Sequence, residues 1–303
     1  MAGGNPTKAK SRGSKLNPML LKSLNYWSLP GGLEGTLDPV TAAQQAKDAG
    51  FDAIELAIGE AGSALGVDAP EGRVADVLER IEEIGMSVPS VASGLYWGRA
   101  LGDADPAARS QAKDDLRSMI KIAAQLKAKT LLTIPGAVEV FFLPQRAVQP
   151  YTEVYHYAVE GLNEVLPTAS EYEVRLGIEN VWNRFLLSPM EMAGFIDSFN
   201  SEWIGAYVDV ANMLAYGFPE QWLRTLGKRV VGVHFKDFRR AVGTIEGFVD
   251  LLEGDVDWPA VMAALSEIGY EGPVAAEMIP GYKHYPMVRI HNTSRAMDAI
   301  LGR

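Results

Sequence analysis

Cysteine is absent from the 303 residues, which excludes a disulfide framework, a thiolate metal site and a cysteine nucleophile, and leaves the redox compartment open. Positive charge is in short supply: Lys and Arg number 28 against 38 Asp and Glu, for a net charge of −10. That balance argues against a nucleic-acid backbone or an anionic membrane as the main partner. No apolar run reaches the roughly 20 residues of a membrane-spanning helix. The phosphate-binding patterns GxGxxG and GxxxxGK[ST] are also missing after the first strand-like run. What is present is 48% hydrophobic and 22% charged residues, enough for one large α/β domain or two smaller ones.

The first 19 residues, "MAGGNPTKAKSRGSKLNPM", carry Lys8, Lys10, Arg12 and Lys15 without an acidic residue. A secretory signal would follow such charges with a continuous apolar stretch, and none precedes the fold. The expectation is a disordered basic tail over residues 1–19, a folded domain over 20–303 and a cytoplasmic location.

From there the chain alternates short β-type runs with amphipathic, helix-length segments. The strands read as 21–29, 52–58, 87–93, 129–135, 174–180, 204–210, 230–236 and 273–279. Helices fall near 39–49, 71–85, 106–128, 151–168, 188–200, 219–227, 257–269 and 287–302. Leu116, Met119, Ile120 and Ala123 show the helical period inside the third helix. Asp38-Pro39 and Ser188-Pro189 read as N-cap and N1 pairs, and Gly50, Gly85 and Gly269 as helix stops. Eight such units without a linker rich in Gly, Ser or Pro predict a single (β/α)8 TIM barrel. A doubly wound sheet is the competing fold, and it lacks its phosphate fingerprint here.

In such barrels the C-terminal ends of the strands converge on the active site. Those ends carry Glu179, Asp209, His234 and Glu277 on strands five to eight. Any one of them alone reads as a helix cap or a satisfied polar group. Three carboxylates crowded together repel one another unless a cation neutralises them. One imidazole with three carboxylates suits Mn²⁺ first, with Mg²⁺ or Co²⁺ as other divalent choices, and leaves positions open for a chelating substrate. Aromatic residues collect at the same rim: Tyr96 and Trp97 after strand three, with Trp27 and Trp182 elsewhere. Sugar rings are often held on such faces, and one nearby arginine, Arg99, favours a neutral ketose over a phosphorylated one.

"GIENVWNRF" (177–185), "YVDVAN" (207–212), "VHFKDFR" (233–239), "AAEM" (275–278) and "EGDVDWPAVMAAL" (253–265) resemble the xylose isomerase-like barrel superfamily. Within it they are most similar to ketose 3-epimerases of the D-tagatose 3-epimerase and L-xylulose 5-phosphate 3-epimerase-like kind, over residues 20–303. The resemblance implies that Glu179, Asp209, His234 and Glu277 bind the metal and that Glu179 and Glu277 exchange protons with the sugar. It also implies a homodimer or homotetramer. Arg240 falls where the epimerases place a substrate-contacting arginine, with Arg239 as the competing register. Asn212 stands where that family often has a histidine, and an amide can still contact a sugar hydroxyl.

The chemistry expected of this ligand set is polarisation of a ketose C2 carbonyl, abstraction of the C3 proton by a carboxylate and passage through a metal-bound cis-enediolate. Reprotonation from the opposite face gives the C3 epimer; reprotonation at C2 gives an aldose. Lys236 is expected to steady an oxyanion, and Asp237 to orient His234 or to pair with Lys236. The alternative is a lyase or dehydratase that uses the same intermediate on a 3-keto sugar, its glycoside or an inosose. An endonuclease would need a histidine-rich, basic site, and a sugar-binding protein without catalysis would not need both glutamates on the metal.

Overall fold

The computed structural model describes residues 20–303, and the proposed basic tail lies outside them. Eight parallel strands close on themselves: β1 (Leu21–Asn25), β2 (Ala53–Ile58), β3 (Ser90–Ser93), β4 (Thr130–Thr133), β5 (Arg175–Glu179), β6 (Ile204–Asp209), β7 (Val230–Phe235) and β8 (Pro273–Ala276). Each is hydrogen-bonded to its neighbours in chain order, and β1 pairs β8 through Leu21 with Pro273 to Leu24 with Ala276. Eight helices alternate with them: α1 (Pro39–Asp48), α2 (Glu71–Glu83), α3 (Pro106–Gln125), α4 (Tyr151–Glu171), α5 (Pro189–Asp197), α6 (Pro219–Leu226), α7 (Trp258–Ile268) and α8 (Pro286–Leu301). The expected TIM barrel is the fold. Among the described residues, no helix is long and apolar enough to cross a membrane.

Local chemistry accounts for the punctuation. Asp38 accepts hydrogen bonds from Val40 N and Thr41 N at the start of α1, and Ser188 accepts from Glu191 N at the start of α5; both satisfy first-turn donors. Gly50, Gly85 and Gly269 follow α1, α2 and α7 with φ of 92°, 71° and 67°, a left-handed conformation that an L side chain resists. Strands run shorter than the apolar runs that announce them. β1 stops at Asn25 because the Asn25 side chain accepts from Trp27 N and turns the chain into a 3-10 segment, Tyr26–Ser28. α4 continues through Pro167 to Glu171.

The main core lies between the barrel and the helices. Val74, Val77 and Ile81 bury one face of α2, and Leu116, Met119, Ile120 and Ala123 do the same for α3. Each fully buried aliphatic side chain of this kind contributes roughly 1.5–3 kcal/mol. At the N-terminal end of the barrel, polar ties fasten α8 and Arg303 to β1 and to the turn before β2. Lys22 Nζ lies 2.5 Å from Asp298 Oδ1 on α8 and 3.1 Å from Ser294 Oγ. Arg303 bridges Asp52 at 2.6 Å and Leu20 O at 2.5 Å.

Candidate active site

Each of the four strand-end residues is aimed by a local device. Asp209 ends β6 in an Asx turn: its Oδ1 accepts from Ala211 N at 2.9 Å and Asn212 N at 3.0 Å, which leaves Oδ2 pointing inward. Asn180 fastens β5 to β6 by accepting from Asp209 N and donating to Asp209 O, both at 2.9 Å. Glu277 follows β8 directly. Ser28 Oγ donates to Ala276 O at 3.3 Å and accepts from Met278 N at 2.8 Å, gripping the backbone on both sides of the glutamate. His234 lies in β7, level with Asp209 on one side and Ala275 on the other.

The result is one buried cluster. Ligand-capable atoms of Glu179, Asp209, His234 and Glu277 all lie within 4.8 Å of one another. His234 Nδ1 is 3.4 Å from Glu277 Oε2, 3.5 Å from Glu179 Oε1 and 4.0 Å from Asp209 Oδ2. Lys236 reaches into the same space, 3.1 Å from Asp209 Oδ2 and in closer contact with Glu277 Oε2. Even so, Asp209 Oδ2, His234 Nδ1 and Glu277 Oε2 are buried without a well-directed hydrogen bond. Buried polar atoms are rarely left so. These three ligand atoms of hard or borderline character, two of them beside the Lys236 ammonium, face one point and fit a divalent cation.

The two glutamates sit in different electrostatic settings. Burial pushes the Glu179 carboxyl up to about 7; His234 and Lys236 oppose this and Glu277 adds to it. Burial would raise Glu277 as well, but the adjoining Lys236 and His234 outweigh it and hold Glu277 at about 2. Burial works against the charge on His234, yet Glu55 and Glu277 raise its pKa well above the usual range.

The remaining sequence candidates take varied positions. Lys236 joins the cluster. Trp182 is half-buried at the rim, donating from Nε1 to Asn212 O at 2.7 Å and packing against Phe238 and Phe248 at 5.6 and 5.4 Å. Asn212 is buried, and its amide donates to Asn180 O at 3.0 Å. Tyr96 is buried with its hydroxyl on Leu132 O at 3.0 Å, while Trp97 stacks edge-on against Phe142 at 5.1 Å. Arg240 lies over the Phe218 ring at 4.4 Å and donates to Gly217 O at 2.8 Å.

One expectation is corrected. Asp237 neither orients His234 nor pairs with Lys236. Its carboxylate accepts from Leu252 N at 3.0 Å, Val256 N at 3.2 Å and Trp258 Nε1 at 3.1 Å, pinning the long loop between β7 and α7. The carboxylate behind His234 is Glu55 on β2, 2.6 Å from Nε2. Sequence reasoning passed over it, although a single charge inside the otherwise apolar "AIELAI" was a usable signal.

A family model described as xylose isomerase-like TIM barrel matches residues 43–297. The chain belongs to that family. L-ribulose-5-phosphate 3-epimerase UlaE of Escherichia coli is 27% identical over 237 residues, covering 78% of this chain and 80% of the relative. The enzyme of the same name from Salmonella paratyphi C is 27% identical over 260 residues, covering 85% and 87%. These relatives are 3-epimerases, and the chain is an enzyme of the isomerase class. Among solved structures, an L-ribulose 3-epimerase superposes with a TM-score of 0.73 at 19% identity, covering 94% of this chain and 95% of that one. The IOLI protein with a binding zinc atom gives 0.74 at 18% identity, covering 93% and 98%. At such identities the superpositions speak for the shared barrel.

Proposed function

We propose that the protein is a divalent-metal-dependent ketose 3-epimerase. The observation that carries this reading is the placement of Glu179 and Glu277. They end β5 and follow β8, with Asp209 and His234 on the two strands between them, so the glutamates flank one small space from opposite sides. A divalent cation held by Glu179, Asp209, His234 and Glu277 would polarise the ketose carbonyl and stabilise negative charge on its oxygen. One glutamate takes the C3 proton from one face of the sugar, and the other returns a proton to the opposite face. Lys236, beside Asp209 and Glu277, is placed to steady charge on a substrate oxygen. Trp182 and Trp97 offer rim surfaces for the sugar.

The proposed substrate is a free ketose. Every arginine in the loops that follow the strands, among the described residues, already has a partner. Arg99 forks onto Glu60 at 2.8 Å and contacts Asp115. Arg146 contacts Asp103 and the Trp97 carbonyl. Arg184 pairs with Glu139 at 3.1 Å, Arg239 with Glu253, and Arg240 bonds to Gly217 O. A phosphate would displace one of these, use exposed Lys283 or rely on backbone N–H groups and hydroxyls alone.

The test is deuterium incorporation from D₂O at C3 of free ketoses and ketose 5-phosphates, in Mn²⁺-loaded and chelated protein. Exchange at C3 of a free ketose that chelation abolishes is the expected result. Glu179→Gln and Glu277→Gln should each lose roughly 10³-fold in kcat, within the usual range for general acid–base groups. Exchange that survives in metal-free protein, or near-normal turnover in both variants, overturns the mechanism. Release of a β-leaving group instead of exchange identifies the lyase alternative, and preference for the 5-phosphate overturns the free-ketose reading.

A further inference from the structure

Behind the site, on the far side of His234, lies a second polar cluster that the proton-transfer chemistry does not use. Glu55 is fully buried in β2, where Ala53, Ile54, Leu56, Ala57 and Ile58 are all apolar. A lone carboxylate in such a strand is costly unless its oxygens are fully hydrogen-bonded. Here they are. Oε1 lies 2.7 Å from Asn25 Nδ2 and 2.6 Å from His234 Nε2. Oε2 accepts from Ser90 Oγ at 2.6 Å and from the Tyr207 hydroxyl.

Donor direction can be assigned around this carboxylate. Asn25 Oδ1 accepts from Trp27 N at 2.8 Å, so its amide nitrogen faces Glu55. The two hydroxyls have hydrogens to give, and an ionised carboxylate only accepts. The contact to His234 therefore requires Nε2 to carry the hydrogen. Nδ1 is left as the imidazole atom that faces Glu179, Asp209 and Glu277.

We propose that Glu55 is a positioning residue: it holds the His234 ring from behind, fixes Nε2–H, turns Nδ1 toward the ligand site and so sets the affinity for a divalent cation. Neighbouring strands are shaped around this arrangement. Tyr207 reaches across the barrel because Gly232 and Gly177 lack side chains; a Cβ at Gly232 would lie 2.4 Å from Tyr207 Cε2, and one at Gly177 3.0 Å from Tyr207 Cδ2. Asn25 sits level with Glu55 on β1, and Ser90 opens β3. Five strands besides β2 thus contribute to the orientation of one ring.

The inference rests on the metal-site part of the proposed function, and calorimetric titration of chelated, sugar-free protein with Mn²⁺ tests the two separately. If wild type takes up no Mn²⁺, the metal reading itself fails. With wild-type binding in hand, Glu55→Gln should weaken Mn²⁺ by roughly 10- to 100-fold, the usual effect of losing such an outer carboxylate. In Zn²⁺-loaded, 15N-labelled protein, the His234 Nε2–H should exchange slowly with solvent and resonate far downfield in wild type, because a carboxylate accepts it, and should lose both features in Glu55→Gln. A merely structural role would lower the melting temperature without moving either readout. Glu55→Asp keeps the charge but shortens the reach; it should show the same loss and serves if Glu55→Gln does not fold. A folded variant of either kind with Mn²⁺ affinity within twofold of wild type and an unchanged His234 spectrum overturns the proposal.

Discussion

Gly232→Ala is the smallest change that should damage the barrel from inside. The added methyl would meet three atoms of the Tyr207 ring at 2.4, 2.5 and 2.8 Å. Tyr207 cannot step aside cheaply: it is fully buried, packs edge-on against His234 with ring centroids 4.7 Å apart, and its hydroxyl is held by Glu55. Overpacking of this kind costs about 1–3 kcal/mol. If the ring shifts enough to release Glu55, a hydrogen bond to a charged group worth about 1.5–3 kcal/mol goes with it. A combined cost of about 2.5–6 kcal/mol is expected. An unfolding entropy near 2.1 cal/mol/K per residue is about 0.6 kcal/mol/K for a chain of this size, so Tm should fall by about 4–10 °C. Scanning calorimetry at a fixed scan rate measures it. Gly194→Ala is the control, because a Cβ there meets nothing within 4 Å and the residue lies inside α5; it should gain up to about 1 kcal/mol. A fall of less than about 1 °C for Gly232→Ala would show that the Tyr207 ring is not confined as described.

Two further outcomes are expected. Asp237→Ala strips Leu252 N, Val256 N and Trp258 Nε1 of their acceptor; it should cost about 3 kcal/mol or more and speed amide exchange across residues 250–258 while the barrel strands keep their protection. Asp38→Asn keeps a capping oxygen but removes a carboxylate whose pKa is lowered: burial works against this, and the Thr41 N–H and Arg73 outweigh it. A lowered folded-state pKa means that the charge stabilises fully above the unfolded value near 3.9 and that this advantage is lost as pH falls through the folded value. The stability gap between wild type and Asp38→Asn should therefore be flat above about pH 5 and shrink in acid; a gap that widens in acid contradicts the assignment.

The parts of this molecule that the sequence makes legible are those governed by neighbours along the chain. Asp38-Pro39, Ser188-Pro189 and the stops at Gly50, Gly85 and Gly269 depend on a few consecutive residues, and eight repeats of strand and helix leave little choice of fold. The convergence of Glu179, Asp209, His234 and Glu277 follows once the barrel is assigned, because a strand end has a fixed place in it. Groups whose partners come from distant strands are not readable in that way. Glu55 meets Tyr207 across the barrel, 152 positions later, and Asp237 turns toward a loop rather than toward its neighbour Lys236. Side-chain direction in short turns is equally hidden: Tyr96 and Trp97 are adjacent, yet one is buried beneath β4 and the other packs at the rim.

The seam between β1 and β8 bears on when the protein becomes an enzyme. β8 is the last strand to be synthesised, and it carries the chain into Glu277 while supplying the hydrogen-bonding edge that β1 lacks. A ribosome-bound chain that has emerged only through β7 would hold Glu179, Asp209, His234 and Lys236 on an open sheet, short of Glu277 and one wall. Domains tend to fold as units during synthesis, and here the unit cannot close before its final strand arrives. Ring closure and completion of the four-residue cluster are thus a single event, so an unfinished or truncated chain would lack the full proposed metal site.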